Sequence, residues 1–371
     1  MQLTRQDVAD IARGAAFLGS GGGGDPYYGR LMVDRAMADG CPITLIDPDD
    51  LPDEALIIPT AMMGAPTILT EKLPRGDELL LSLLRLEKHL GQPVFGTMPI
   101  EIGGVNSMFP LLVGARLGLP IVDADGMGRA FPELQMETFH IYGISGTPMV
   151  ITNEYGDSAL LTTHDNGMME WLARSTTIRM GGATYIAEYP MDGQTVRRSA
   201  VPRTISLALA IGRCIREAGQ SQRNPFLALI ALFETTAYKV GVIIFEGKVI
   251  DVLRQTTESF AKGTAVIEST YDNYQLMEIV FQNEFLMARQ EGRLRAIVPD
   301  LICILDSRTA NPIATEHIRY GQQVKVMAVS APDMLRTPEA LAVFGPPAFG
   351  FQEAFRPLET LLEEEHRWLT V

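Results

Sequence analysis

The chain has 371 residues, beyond the ~250–300 at which a single hydrophobic core stops growing, so two domains are expected. Apolar residues make up 46% and charged residues 20%, enough core material to exclude a disordered chain. With 31 basic against 45 acidic residues and a formal charge of −14, no surface for nucleic acid or anionic lipid is expected.

Cys41, Cys214 and Cys303 are too few and too dispersed for a disulfide framework, and no C-x-x-C pair occurs. Reduced, mostly buried thiols fit a cytosolic protein. The N-terminus lacks the basic start and apolar run of a signal peptide, and no run of ~18 apolar residues is found. A cytoplasmic protein with no membrane segment is expected.

Thr4 followed by Asp7 reads as a helix start, with Val8, Ile11, Ala12 and Ala15 at helical spacing. Asp25-Pro26 reads as a second start, for a helix running to about Gly40. Short apolar runs at Pro42–Asp47, Ala55–Pro59, Val94–Thr97 and Leu119–Val122 predict strands. Between them, 77–90 and 106–118 predict helices, the former stopped by Gly91. Strands alternating with helices predict an α/β layer domain with a mostly parallel sheet over residues 1–165. Beyond it, 203–218 predicts a helix, and 240–246, 249–254, 264–269, 274–282, 301–306 and 323–329 predict strands. Residues 166–371 thus read as a β-rich domain, with a tight hairpin at Gly247-Lys248.

Three segments carry candidate chemistry. Gly21, Gly22, Gly23 and Gly24 precede a helix N-terminus, where backbone amides could cradle a carbonyl or anionic group; close backbone packing is the alternative. A phosphate loop is excluded by the absence of its Lys-Ser/Thr, and a dinucleotide site lacks the preceding strand, so neither nicotinamide nor flavin is expected. Glu101 closes the strand before it, and Asp123, Asp125 and Arg129 lie beyond a strand end, where open α/β sheets place ligands. Asp123 and Asp125 can project from one side of that strand end as bases or metal ligands; a turn braced by an Asp–Arg pair is the alternative.

A helix starting at Pro132 would place Glu133, Glu137 and His140 on one face, and Glu137-x-x-His140 is a spacing found among metal-binding helices. His164 is a further ligand or base candidate, and Asn283-Glu284 is a candidate substrate contact or a turn. Carboxylate ligands would favour Mg²⁺ or Mn²⁺, and histidine Zn²⁺ or Fe²⁺. Cys303 reads as a core thiol.

LGSGGGGDP, DADGMGRAFPELQM, FQNE before PDLICILD, RYGQQVKVMA and GPPAFGF occur here in one order. Through them the chain resembles the S-methyl thiohydantoin desulfurase-like proteins, from residue 5 to about 355. The resemblance implies an α/β N-terminal domain, a β-rich C-terminal domain and proximity to hydantoinases and oxoprolinases. The sequence departs from its relatives at Glu258-Ser259-Phe260-Ala261-Lys262-Gly263, where relatives tend to carry glycines before the phenylalanine. Hydrolytic desulfurisation of a small heterocycle is the expected reaction. An amide-hydrolysing hydantoinase or oxoprolinase and a non-catalytic partner of such an enzyme are the alternatives. In the expected reaction Asp123, Asp125, Arg129 and Glu133 are catalytic. Gly21–Gly24, Glu101, Asn283 and Glu284 contact substrate, and Asp123, Asp125, His140 and His164 are the ligands of any divalent metal. A homo-oligomer is expected.

Overall fold

A computed structural model describes residues 1–64, 75–257, 260–271 and 274–369. The chain divides into two compact units, Met1–Ala15 with Gly23–Leu209, and Ala16–Gly22 with Ala210–Val371. Residue 165, the boundary expected from the change of pattern, lies inside the first unit.

The first unit is α/β. Its elements are α1 (Arg5–Leu18), α2 (Pro26–Ala38), β1 (Leu45–Ile46), β2 (Ile57–Gly64), α3 (Asp77–Leu90), β3 (Gly96–Met98), α4 (Phe109–Leu117), β4 (Ile121–Val122) and β5 (Ala124–Asp125). They continue with α5 (Thr138–Ile141), β6 (Met149–Thr152), β7 (Ser158–Leu161), α6 (Asn166–Arg179), β8 (Ala183–Ala187), α7 (Gly193–Ser199), β9 (Val201–Pro202) and α8 (Thr204–Gln220); of α1 only the part to Ala15, and of α8 only the part to Leu209, belongs to this unit. Among the described residues these form a mixed sheet in the order β1-β4-β3-β2-β8-β6-β7. The first four strands are parallel, and β8, β6 and β7 extend them as an antiparallel flank.

Local chemistry explains the helix starts. The Asp7 carboxylate accepts from the Thr4 amide at 2.9 Å while the Thr4 hydroxyl accepts from the Asp7 amide, a reciprocal cap. Asp25 caps α2 by accepting from the Tyr27 amide at 2.9 Å. Gly91 ends α3 in the left-handed region at φ 69°, its amide bonded to the Glu87 carbonyl.

The second unit is an antiparallel β half-barrel. After α9 (Pro225–Phe233) come β10 (Gly241–Thr257), β11 (Phe260–Ser269), β12 (Leu276–Gln282), β13 (Glu284–Gln290), β14 (Arg293–Ile297), β15 (Leu301–Asp306) and β16 (Gln323–Val329), then α10 (Pro338–Phe344) and α11 (Leu358–Leu369). The order is β14-β13-β12-β11-β10-β16-β15. Of the segment that departs from its relatives, Glu258 and Ser259 lie outside the described residues.

Two expectations need correction. Gly247-Lys248 is not a hairpin: β10 runs through it, pairing with β16 on one side and β11 on the other. A Cβ on Gly247 would sit 2.1 Å from the Glu268 carbonyl oxygen, so this glycine serves close strand approach and not a turn. Nor does a helix start at Pro132. The backbone from 126 to 137 is irregular: Met127 and Gly128 donate to Asp125, Leu134 donates to Glu170, and Met136 closes only a three-residue turn onto the Glu133 carbonyl at 3.0 Å. Glu137 is extended, at φ −114° and ψ 149°, so Glu133, Glu137 and His140 do not share a helical face.

Within the first unit Gly104 holds φ +64°, and a Cβ there would fall 2.2 Å from the Gly23 carbonyl group. Gly91 has a similar φ and open space around it. Gly91→Ala is therefore expected to cost about 1–2 kcal/mol, and Gly104→Ala at least about 3 kcal/mol because backbone must move as well. Urea unfolding of both variants measures the difference; equal losses would show that the Gly23–Gly104 approach is not a packing constraint.

Candidate active site

Parallel strands deliver their loops to one edge of the sheet, and here the loops after β3 and β4 are tied together by a single carboxylate. Asp125 is fully buried, and its Oδ2 accepts from the amides of Ile102 at 2.8 Å, Met127 at 3.0 Å and Gly128 at 2.8 Å. The Gly126 amide donates to the Ile100 carbonyl at 2.8 Å, closing the same knot from the backbone. Burial pushes the Asp125 carboxyl up to about 7, and the three amides oppose that shift without overcoming it.

Around this knot stand further buried acids. Glu101 follows β3 and accepts from Asn106 Nδ2 at 2.7 Å. Asn106 is held in turn by the Met62 backbone, accepting from its amide at 2.8 Å, so β2 orients Glu101 through an amide side chain. Glu137, just before α5, turns inward, and neither of its carboxyl oxygens has a hydrogen-bond partner among the described residues. A Cβ on Gly126 would lie 2.5 Å from Glu137 Oε2, so only glycine admits that carboxyl. Glu188 follows β8, its amide bonded to the Pro59 carbonyl of β2 at 3.2 Å, and both its carboxyl oxygens are also buried without a partner among the described residues.

Burial first, then the charges of Glu188, Asp125 and Glu101, holds the Glu137 carboxyl well above the usual range. Burial and then Glu170 does the same for Glu188. Four neighbouring buried carboxyls cannot all ionise, and burial among like charges favours the protonated form of Glu137 and Glu188. The next residue, Tyr189, is buried at φ +46°, an uncommon conformation for an aromatic side chain, and its hydroxyl donates to the Leu134 carbonyl at 3.1 Å. Arg129 is also fully buried, its Nε donating to the Ala130 carbonyl at 3.2 Å and its guanidinium 5.0 Å above the Phe131 ring.

Family models decide the assignment. The N-terminal S-Me-THD-like domain matches residues 6–163 and the C-terminal S-Me-THD-like domain matches residues 164–358. The chain belongs to the S-Me-THD-like family. Among solved structures, a protein from Chromobacterium violaceum is 22% identical, with a TM-score of 0.80 over 96% of this chain and 100% of that one, a likeness of fold. No curated protein matches the chain.

The S-Me-THD-like chain brings only part of the expected site together. Asp125 and Glu101 share the acidic cluster. Asp123 and Asp125 face different partners: the Asp123 carboxylate accepts from the Ser206 amide at 2.9 Å and from its hydroxyl, anchoring the first turn of α8. Burial also raises the Asp123 carboxyl. Glu133 is half-buried beside Gln135. His140 Nδ1 lies 3.1 Å from Asn166 Nδ2, and burial lowers its pKa. His164 is exposed and pairs with Asp165 at 2.7 Å. Among the described residues no group of three or more His, Cys, Asp or Glu is arranged to hold a metal ion, Asp123, Asp125, His140 and His164 included.

Gly23 and Gly24 belong to the first unit, and the Gly23 carbonyl accepts from the Val105 amide at 2.9 Å. Gly21 and Gly22 belong to the second, as do Asn283 and Glu284. Gly22 donates its amide to Gly19 at 2.9 Å, and a Cβ on it would lie 2.2 Å from Glu284 Oε1. Glu284 is buried at the start of β13, and Asn283, at φ +59°, turns the chain between β12 and β13.

Sequence reasoning missed Glu188, Glu170 and Asn106. Glu188 follows the run ATYIA, and a carboxylate closing a strand-like run with no other charge was the available signal.

The raised carboxyls set a pH dependence. Each binds its proton more firmly folded than unfolded, so its stabilising contribution is present at low pH and lost as pH rises through the folded value. For Asp125 the window runs from the usual 3.8 to about 7. Glu137→Gln keeps shape without a titrating proton, and should flatten the fall in stability by up to about 1.4 kcal/mol per pH unit above the usual glutamate value of 4.5. Urea unfolding at several pH values tests this; a slope identical to the parent's would mean that Glu137 is ionised in the fold.

Proposed function

We propose that this protein hydrolyses the C2–sulfur bond of a small thiohydantoin or S-methyl thiohydantoin, giving the hydantoin. The observation that supports this reading most is a buried carboxyl near pH 7, Asp125, beside Glu137 and Glu188, whose protonated forms burial favours, in an S-Me-THD-like chain. The reaction needs a base and an acid at one centre, and environments that separate carboxyl pKa values supply both from one residue type.

In the proposed step a water oxygen bonds to C2 of the S-methyl ring as Asp125 takes one of its protons. The C2–S bond then breaks with its electron pair leaving on sulfur. A proton from Glu137 or Glu188 makes that sulfur methanethiol, and the second water proton ends on the ring nitrogen. From an unmethylated thiohydantoin the same addition releases hydrogen sulfide. Glu101, set by Asn106, keeps the neighbouring acids protonated by its charge, and Arg129 is the proposed clamp for a substrate carboxylate or ring oxygen. Asp123 is assigned an anchoring role for α8. The acid–base work is thereby given to the chain's own carboxyls, with no step through a metal.

Purified protein incubated with both substrates, with methanethiol and sulfide measured, tests the reading. Asp125→Asn should lower kcat about 10²-fold or more and abolish the limb near about 7 in the pH profile of kcat/KM. Opening of the ring to a carbamoyl amino acid would favour the hydantoinase reading. A folded Asp125→Asn variant with full activity would remove Asp125 from the mechanism.

A further inference from the structure

Helix α6 carries two apolar faces where a surface helix needs one. Its inner face, Met169, Ala173 and Thr177, is buried in the first unit. Its outer face presents Met168, Trp171, Ser175 and Ile178, with Met168 38%, Trp171 63% and Ile178 56% exposed. Their spacing of three, four and three residues is that of a helix–helix seam, in which each position meets a hole on a facing helix. Asp165 caps the exposed start of the seam, accepting from the Met168 amide at 2.7 Å. Arg179, exposed at its far end, has no ion pair among the described residues.

We propose that this face is an interface between two copies of the chain, with α6 packed antiparallel on α6 of the second copy about a two-fold axis near Ala173. Size and charge both select this occupant. Antiparallel register sets Trp171 over the small Ser175 of the other copy and Met168 against its Ile178, so large meets small at the centre and apolar meets apolar at each end. It also brings Asp165 to within two residues, about 3 Å along the axis, of Arg179 of the second copy at both ends of the seam, within reach of the arginine side chain, whereas a parallel pair would oppose like charges. A self-complementary patch is what a two-fold interface requires, since each residue serves once on each side.

The seam spans ten residues, about 15 Å of helix. Such an area is small beside the ~800 Å² per partner of a stable complex, so a dissociation constant on the order of micromolar is expected. Sedimentation velocity of the full chain from about 1 to about 100 μM reads this directly. A concentration-dependent dimer is expected; a monomer throughout overturns the proposal. Trp171→Glu, at an exposed position, should keep the parent's unfolding midpoint and be monomeric over the same range. Assembly that survives this substitution would place the interface elsewhere. Arg179→Asp should weaken the dimer at least about tenfold by opposing Asp165 of the second copy. An unchanged constant would overturn the antiparallel register.

Discussion

The first unit's site depends on one buried oxygen, Asp125 Oδ2, which gathers three backbone amides from two loops. A carboxylate so placed gives up its hydration and is compensated by amides whose own alternatives are few, because Ile102, Met127 and Gly128 lie in irregular backbone. The local helix expected from Pro132 does not form: Met136 closes only a three-residue turn onto the Glu133 carbonyl, and the backbone is extended again at Glu137. The same knot fixes Gly126, and through the space left by a missing Cβ it fixes where the Glu137 carboxyl rests.

Electrostatically, the knot sits among acids that keep each other neutral. Pairing each with an arginine would neutralise charge too, but would lock the carboxyls as anions and remove their protons from use. Glu170, in the same unit, has such a partner: Arg174 and the Leu134 amide oppose the upward shift that burial gives it, while among the described residues Glu137 and Glu188 retain unpartnered oxygens. Burial without partners costs stability, and that cost at a cluster of like groups is the observation behind the acid–base role proposed for them.

Local signals are legible in the sequence, and long-range ones are not. The Thr4–Asp7 and Asp25–Pro26 starts and the Gly91 stop depend on residues within one turn, and each stands where its motif predicts. The S-Me-THD-like family is legible from DADGMGRAFPELQM together with the other ordered motifs. Gly247 misleads because a glycine needed by a neighbouring strand looks the same in sequence as one needed by a turn; only the Glu268 carbonyl distinguishes them. Asp123 and Asp125, two residues apart, read as a pair, yet each is claimed by a different distant segment, Ser206 for one and Ile102 for the other. Glu188 and Asn106 form no local pattern with their partners, since their roles exist only once β2, β3 and β8 are adjacent.

The glycine run shows why a motif can be informative and still ambiguous. Four missing side chains are consistent with a cradle of amides or with close backbone packing. In the second unit, Gly21 and Gly22 face Phe285 and Glu284 at distances no Cβ would permit, and the Gly22 amide is already bonded within the run. In the first, Gly23 packs against Gly103 and Gly104, the two residues that begin the turn carrying Asn106. Close packing therefore accounts for Gly21, Gly22 and Gly23 with no ligand invoked. It also links the run to the acids by mechanics: the backbone that Gly23 admits is the backbone from which Asn106 reaches Glu101, so a side chain at position 23 or 104 would disturb an acid it never touches.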